Sequence, residues 1–171
     1  MIQYKKYYMP GTKEELLKTI DTIDCTYDIL AGGTDLYAKE KTPFNGADAA
    51  IDISGIKEFS VIKLKKEEGL ITFGSNICIQ QFLEEKVLME NVPILRHAAI
   101  YFADQQIREM ATVGGNVANS SPSGDTIAPL TALEAVIHTI TSKDNKICEK
   151  ETPITEFITG VGKNLLEKGE V

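Results

Sequence analysis

The sequence predicts an α+β protein in two lobes: a small parallel β-α-β lobe over residues 1–54 and a larger lobe with an antiparallel sheet over residues 55–171. Three observations predict it. Short apolar runs alternate with helix-patterned segments through roughly the first fifty residues, the order of a β-α-β unit. After Ser54-Gly55 the apolar runs instead face each other across short polar turns, as hairpins do. A hydrophobic share of 43% and a charged share of 25% are those of a globular chain, and no run approaches the ~20 apolar residues of a membrane span.

Each element has its own signal. Residues 4–9 read as a strand ended by Pro10-Gly11, and Thr12 with Glu15 makes a T-x-x-E capping box. Leu16, Leu17, Ile20 and Ile23 then fall at helical spacing, predicting a helix over 13–23. Residues 27–31 form an apolar strand that runs into Gly32-Gly33, a second helix starts near Thr34, and 49–53 is a buried strand. In the larger lobe, 59–64 and 70–73 predict a hairpin around the charged turn 65–69. Helices are expected at 79–88 and 93–103, the second presenting Ile94, Leu95, Ala98, Ala99 and Phe102 on one face. Residues 136–141 and 146–150 predict another hairpin around Asp144-Asn145.

Composition excludes several functions. The net charge is −7 and the lysines are scattered, whereas nucleic acid or an anionic membrane demands a concentrated basic face. Cys25, Cys78 and Cys148 form no C-x-x-C pair, and His97 and His138 are isolated, so no metal or iron–sulfur site is expected within the chain. The N-terminus has no apolar signal core, so a cytoplasmic location is expected.

Two glycine pairs carry the chemical signal. In Ile29, Leu30, Ala31, Gly32, Gly33, Thr34, Asp35 and Leu36, a strand gives way to a turn whose N–H groups no β-carbon covers. Such N–H groups can hold a phosphate, with the Thr34 hydroxyl as a further donor. The alternative is a plain tight turn with Thr34 or Asp35 as a helix cap. The second pair, Gly114-Gly115, lies in 111–125, a stretch dense in small residues, hydroxyls and amides that has no lysine or arginine. Thr112, Asn116, Asn119, Ser120 and Ser123 supply donors, and Asp125 can accept from two neighbouring hydroxyls, as ribose or ribityl chains present them. Here the alternative is a structural loop leading into a helix. Together the two turns predict an elongated ligand with a diphosphate in the middle, neutralised by N–H dipoles from both glycine pairs rather than by cations.

These two loops resemble the signatures of the FAD-binding subunit or domain of molybdenum hydroxylases, the family of the xanthine, carbon monoxide and nicotinate dehydrogenases. The likeness extends to Tyr7-Tyr8-Met9-Pro10, Ile51-Asp52-Ile53-Ser54, Gln106-Ile107-Arg108 and Gly162-Lys163. It implies a two-lobed fold shared with the vanillyl-alcohol-oxidase-like flavoproteins, with non-covalent FAD between the lobes. Leu30, Ala31, Gly32, Gly33, Thr34, Asp35 and Leu36 would line the diphosphate with Thr112, Val113, Gly114, Gly115 and Asn116, and Ile29 is a further cofactor-binding candidate. Asp125 would bond flavin-side hydroxyls, and Asn119 is a further cofactor-binding candidate. Phe102 would pack near the adenine or isoalloxazine, unless it belongs to the core. Lys163, read alone a surface lysine, matches a family position that approaches the cofactor.

The resemblance implies a role without catalytic acid–base residues. The chain would take electrons from a [2Fe-2S] small subunit, itself reduced by a molybdopterin large subunit, and pass them to NAD or another acceptor. Separate-subunit relatives continue into a third, C-terminal α/β domain that this chain lacks, so a fragment or shortened subunit is expected. Two other readings are a stand-alone flavin oxidase and a truncated, non-catalytic docking module. Bleaching of bound flavin by substrate without a partner would favour the first, and complex formation without flavin the second.

Overall fold

The structure, a computed structural model, describes residues 4–38, 47–144 and 146–171. In the small lobe, β1 (Lys6–Tyr8), β2 (Tyr27–Leu30) and β3 (Ala49–Asp52) form a wholly parallel sheet in the order β1-β3-β2. The central strand β3 is apolar and buried at Ala49, Ala50 and Ile51, as a strand flanked on both edges requires. Helix α1 (Lys13–Thr22) starts where the capping box sits. The Thr12 hydroxyl accepts from the Glu15 N–H at 3.2 Å, and the Glu15 carboxylate reaches back to the Gly11 N–H at 2.7 Å. Its Leu16 and Ile20 close a small core with Ile51, Ile53 and Ile56. The short helix α2 (Thr34–Ala38) begins directly after the first glycine pair.

The larger lobe departs from expectation in its sheet. Antiparallel pairing is present as three separate two-stranded ribbons: β4 (Ile62–Lys65) with β5 (Leu70–Phe73), β6 (Val136–Lys143) with β7 (Lys146–Pro153), and β8 (Ile158–Gly160) with β9 (Lys163–Asn164). The turn between β6 and β7 contains Asp144 at φ 52°, and Asn145 lies outside the described residues. Between the ribbons run α3 (Gln81–Glu84), α4 (Lys86–Asn91), α5 (Pro93–Tyr101), α6 (Gln105–Met110), α7 (Val113–Asn119), α8 (Ile127–Ala132) and α9 (Ile154–Phe157). They build the main core around Phe82, Leu88, Leu95, Ala99 and Phe157.

Two helix expectations need correction. The helix over 79–88 is two short ones, broken at Glu85, whose backbone is extended. Its first residues are taken by another segment: the Ile79 N–H donates to the Ala111 carbonyl at 2.9 Å and the Gln80 N–H to Arg108 at 3.1 Å. The stretch 111–125, read as a loop, contains α7, capped by Thr112. Two glycines and two asparagines give it low helix propensity, so packing and the cap decide its conformation. Among the described residues no helix is long and apolar enough to cross a membrane, and no group of three or more His, Cys, Asp or Glu side chains could hold a metal.

Candidate functional site

The fold brings the two glycine-rich segments together at the junction of the lobes. Gly32 abuts the end of α6 so closely that a β-carbon there would lie 1.9 Å from the Met110 carbonyl oxygen. Only a residue with no side chain allows that approach. Beside the contact, Ala31, Gly32, Ser54, Asn76, Cys78, Glu109, Met110 and Thr112 line a cleft of about 240 Å³. Among the described residues, no backbone carbonyl or side chain accepts from the N–H groups of Gly32, Gly33, Thr34 or Asp35. These four donors at the turn are available to a ligand.

The second glycine pair behaves otherwise, and the expectation of amides from both turns is corrected. The Gly114 N–H donates to the Ser75 carbonyl at 2.9 Å, and the Gly115 N–H to the Thr112 hydroxyl oxygen at 3.1 Å. Neither is free: the first ties α7 to the 75–79 segment and the second closes its cap. Gly114 is needed for closeness instead, since a β-carbon would come within 2.4 Å of Cβ of Ser75. Thr112 keeps its own O–H proton free to donate, because its oxygen is the acceptor in the cap.

A third segment, which the sequence did not flag, completes the wall. Residues 75–79 run antiparallel to 111–114. Ser75 and Ile77 accept from Gly114 and Val113, and Cys78 bridges to Thr112. Asn76 is the telling residue. Its Nδ2 donates to the Ile53 carbonyl at 2.6 Å, while its Oδ1 is buried without a partner. Turning the amide over would set two carbonyl oxygens against each other, so the orphan is a true acceptor. The available signal was Gly74 directly after a strand, where a β-carbon would meet the Phe59 carbonyl oxygen at 2.0 Å.

The remaining predicted residues divide. Phe102, read as cofactor contact or core, is 8% exposed within the main core. Val113 joins it there, and Ile29 packs on the small core, so these side chains are spent on packing. Leu30 ends β2, Ala31 lines the cleft, and Leu36 is half-buried on α2. The Asn116 side-chain oxygen accepts from the Thr126 N–H at 3.3 Å and its hydroxyl at 2.6 Å, which folds the 120–126 turn onto α7. Asn119 ends α7, and Asp125 is exposed on the following turn. Lys163 is exposed on β9, which is tied to the same end of α7: Gly162 donates to the Ser120 carbonyl at 2.8 Å, and Asn164 to Ala118 at 2.7 Å. A seven-residue helix spans ~10 Å, so the predicted residues fall into two groups, one at each end of α7.

The cleft contains no cation among its lining residues, and its one lining carboxylate is that of Glu109. Burial pushes the Cys78 thiol up, so at neutral pH it is protonated and a poor nucleophile. Asp52, which precedes the cleft by one strand end, would be raised by burial, but hydrogen bonds from Ser54 and Tyr7 outweigh this and hold it below the usual range. It is a carboxylate that orders the 52–54 turn, accepting the Ser54 N–H at 2.9 Å.

Residues 2–171 match the model of the FAD binding domain in molybdopterin dehydrogenase. The chain belongs to this family. Among curated relatives, this FAD-binding domain is 29% identical over 170 residues to the nicotinate dehydrogenase FAD-subunit of Eubacterium barkeri, covering 97% of the chain and 55% of that protein. It is 32% identical over 143 residues to a putative xanthine dehydrogenase FAD-binding subunit of Escherichia coli K12, covering 84% of the chain and 47% of that protein. The solved carbon monoxide dehydrogenase from Hydrogenophaga pseudoflava, in a form lacking the Mo-pyranopterin moiety of its cofactor, superposes with a TM-score of 0.87 at 27% identity. That match covers 100% of this chain and 58% of the other. The domain therefore has the α+β fold of these FAD subunits and spans about half the length of the relatives it matches.

Proposed function

We propose that this chain holds non-covalent FAD at the junction of its lobes and serves as the electron-transfer element of a molybdenum-containing dehydrogenase. Electrons would arrive from a [2Fe-2S] partner chain, itself fed by a molybdopterin-bearing chain, and leave to NAD or another acceptor. The observation that supports the reading is the set of four unpaired amides on 32–35, the first of them on a residue that lines the cleft. A turn with free N–H donors suits a diphosphate in an acidic protein, because amide dipoles can neutralise it without cations. The residues present fit the group.

In this reading the Gly32, Gly33, Thr34 and Asp35 amides bind the diphosphate, and the Thr112 hydroxyl donates beside them. Asn119, Asp125 and Lys163, at the far end of α7, meet the flavin side. When bound, FAD supplies both one- and two-electron transfer, and the protein contributes placement and electrostatics. Cys78 is protonated and no histidine lines the cleft, which leaves Glu109 as its one lining carboxylate.

The test is reconstitution of the chain with FAD, desalting, and a visible spectrum. A retained flavin band, and a rise in unfolding free energy of about 2.7 kcal/mol at a hundredfold excess of FAD over its Kd, are expected. A colourless protein with an unchanged melt would end the reading.

A further inference from the structure

The Gln106-Ile107-Arg108 motif does not line the cleft, yet its arginine ties together the segments beside it. The Arg108 guanidinium donates through Nε to Gln80 Oε1 at 2.9 Å, and through Nη1 to the carbonyls of Phe102 and Ala103 at 3.0 and 3.2 Å. Its own carbonyl accepts the Gln80 N–H at 3.1 Å. Gln80 is 7% exposed, and its Nε2 is held in turn by Glu84 Oε1 at 2.7 Å. Arg108 thus clamps the start of α3 on one side and the corner between α5 and α6 on the other.

That corner is strained. Ala103 has φ 36°, in the left-handed region that residues with a β-carbon disfavour. Two consecutive carbonyls converge on one guanidinium nitrogen only if the chain turns there, so the arginine offsets the strain. Asp104 then caps α6 by accepting the Ile107 N–H at 2.9 Å, and two residues beyond Arg108 the Met110 carbonyl meets Gly32. Clamp, helix and cleft wall form one short rigid lever.

We infer that Arg108 is a positioning residue for the nucleotide site. By fixing α6 against both its neighbours, it sets the separation between the Met110–Thr112 wall and the Gly32–Asp35 amides. A single point charge cannot replace it, because three acceptors in two directions require the planar fork. The inference rests on the FAD reading, since FAD is the probe.

The test measures FAD affinity by flavin fluorescence and stability by urea melts, in the unaltered chain, Arg108→Lys, Arg108→Met, and Arg108→Met with Ala103→Gly. Arg108→Lys and Arg108→Met are expected to bind FAD about tenfold more weakly. In the double variant the glycine relieves the corner strain and recovers stability, while FAD affinity stays weak. A small guanidinium compound at millimolar concentration is expected to restore affinity to Arg108→Met. Unaltered FAD affinity in either single variant overturns the inference, as does affinity that returns with stability in the double variant. Should Arg108→Met fail to fold, Arg108→Lys, which keeps the charge, decides alone. Failure of the unaltered chain to bind FAD would sink the proposed function instead.

Discussion

Gly32 and Met110 meet backbone against backbone, the one through its missing β-carbon and the other through its carbonyl oxygen. This contact joins the turn of the small lobe to the end of α6 in the larger lobe, and it forms one edge of the cleft. Replacing Gly32 by alanine drives a methyl group into a main-chain carbonyl that cannot rotate away. Gly32→Ala is expected to cost about 2–3 kcal/mol in urea melts and to abolish FAD retention. Gly33→Ala, at φ 71°, is expected to cost about 1–2 kcal/mol from backbone strain. A loss below about 1 kcal/mol in Gly32→Ala would contradict the contact.

Thr112 closes α7 by accepting the Gly115 N–H. Thr112→Ala leaves that amide unpaired and is expected to cost about 1 kcal/mol, with weaker FAD binding because the free hydroxyl is also lost. Thr112→Ser keeps both groups and should resemble the unaltered chain in melts and in titration.

Asn76 gives an unusual expectation. Its Nδ2 bond to the Ile53 carbonyl stabilises the turn, but the same carbonyl also accepts the Ile56 N–H at 3.1 Å and stays satisfied without it. The orphaned Oδ1 meanwhile carries a desolvation cost. Asn76→Leu is therefore expected to change stability by no more than about 1 kcal/mol without FAD. A loss of several kcal/mol would show that a donor already satisfies Oδ1.

Glu170 predicts a pH dependence. Burial alone would raise its carboxyl, but the Thr139 hydroxyl, the Glu167 N–H and Lys150 together outweigh burial and hold it below the ordinary value of 4.5. A carboxylate with a depressed folded value stabilises the fold above the unfolded value, and that stability is lost as pH falls through the folded one. The fall in stability below about pH 4.5 should be shallower in Glu170→Gln, by urea melts across that range. The tail it secures also pairs Val171 with Ile140 through two bonds, at 2.7 and 2.9 Å, and packs Val171 on the small core.

The sequence by itself determined the local features whose causes are local. The capping box at Thr12 and Glu15 placed α1, the apolar run at 49–53 placed the central strand, and the first glycine pair marked a turn with free amides. The likeness in 111–125 pointed to the family even though its conformation was misread as a loop. Only the tertiary structure decided which amides remain free. The Gly114 N–H finds Ser75, and residues 79–80 leave their helix pattern to pair with 108–111, because a buried backbone group must bond whatever segment the fold sets beside it. The same cause hid Asn76 and Arg108: an orphaned acceptor and a clamp exist only between segments far apart in the chain, where no periodicity or spacing records them.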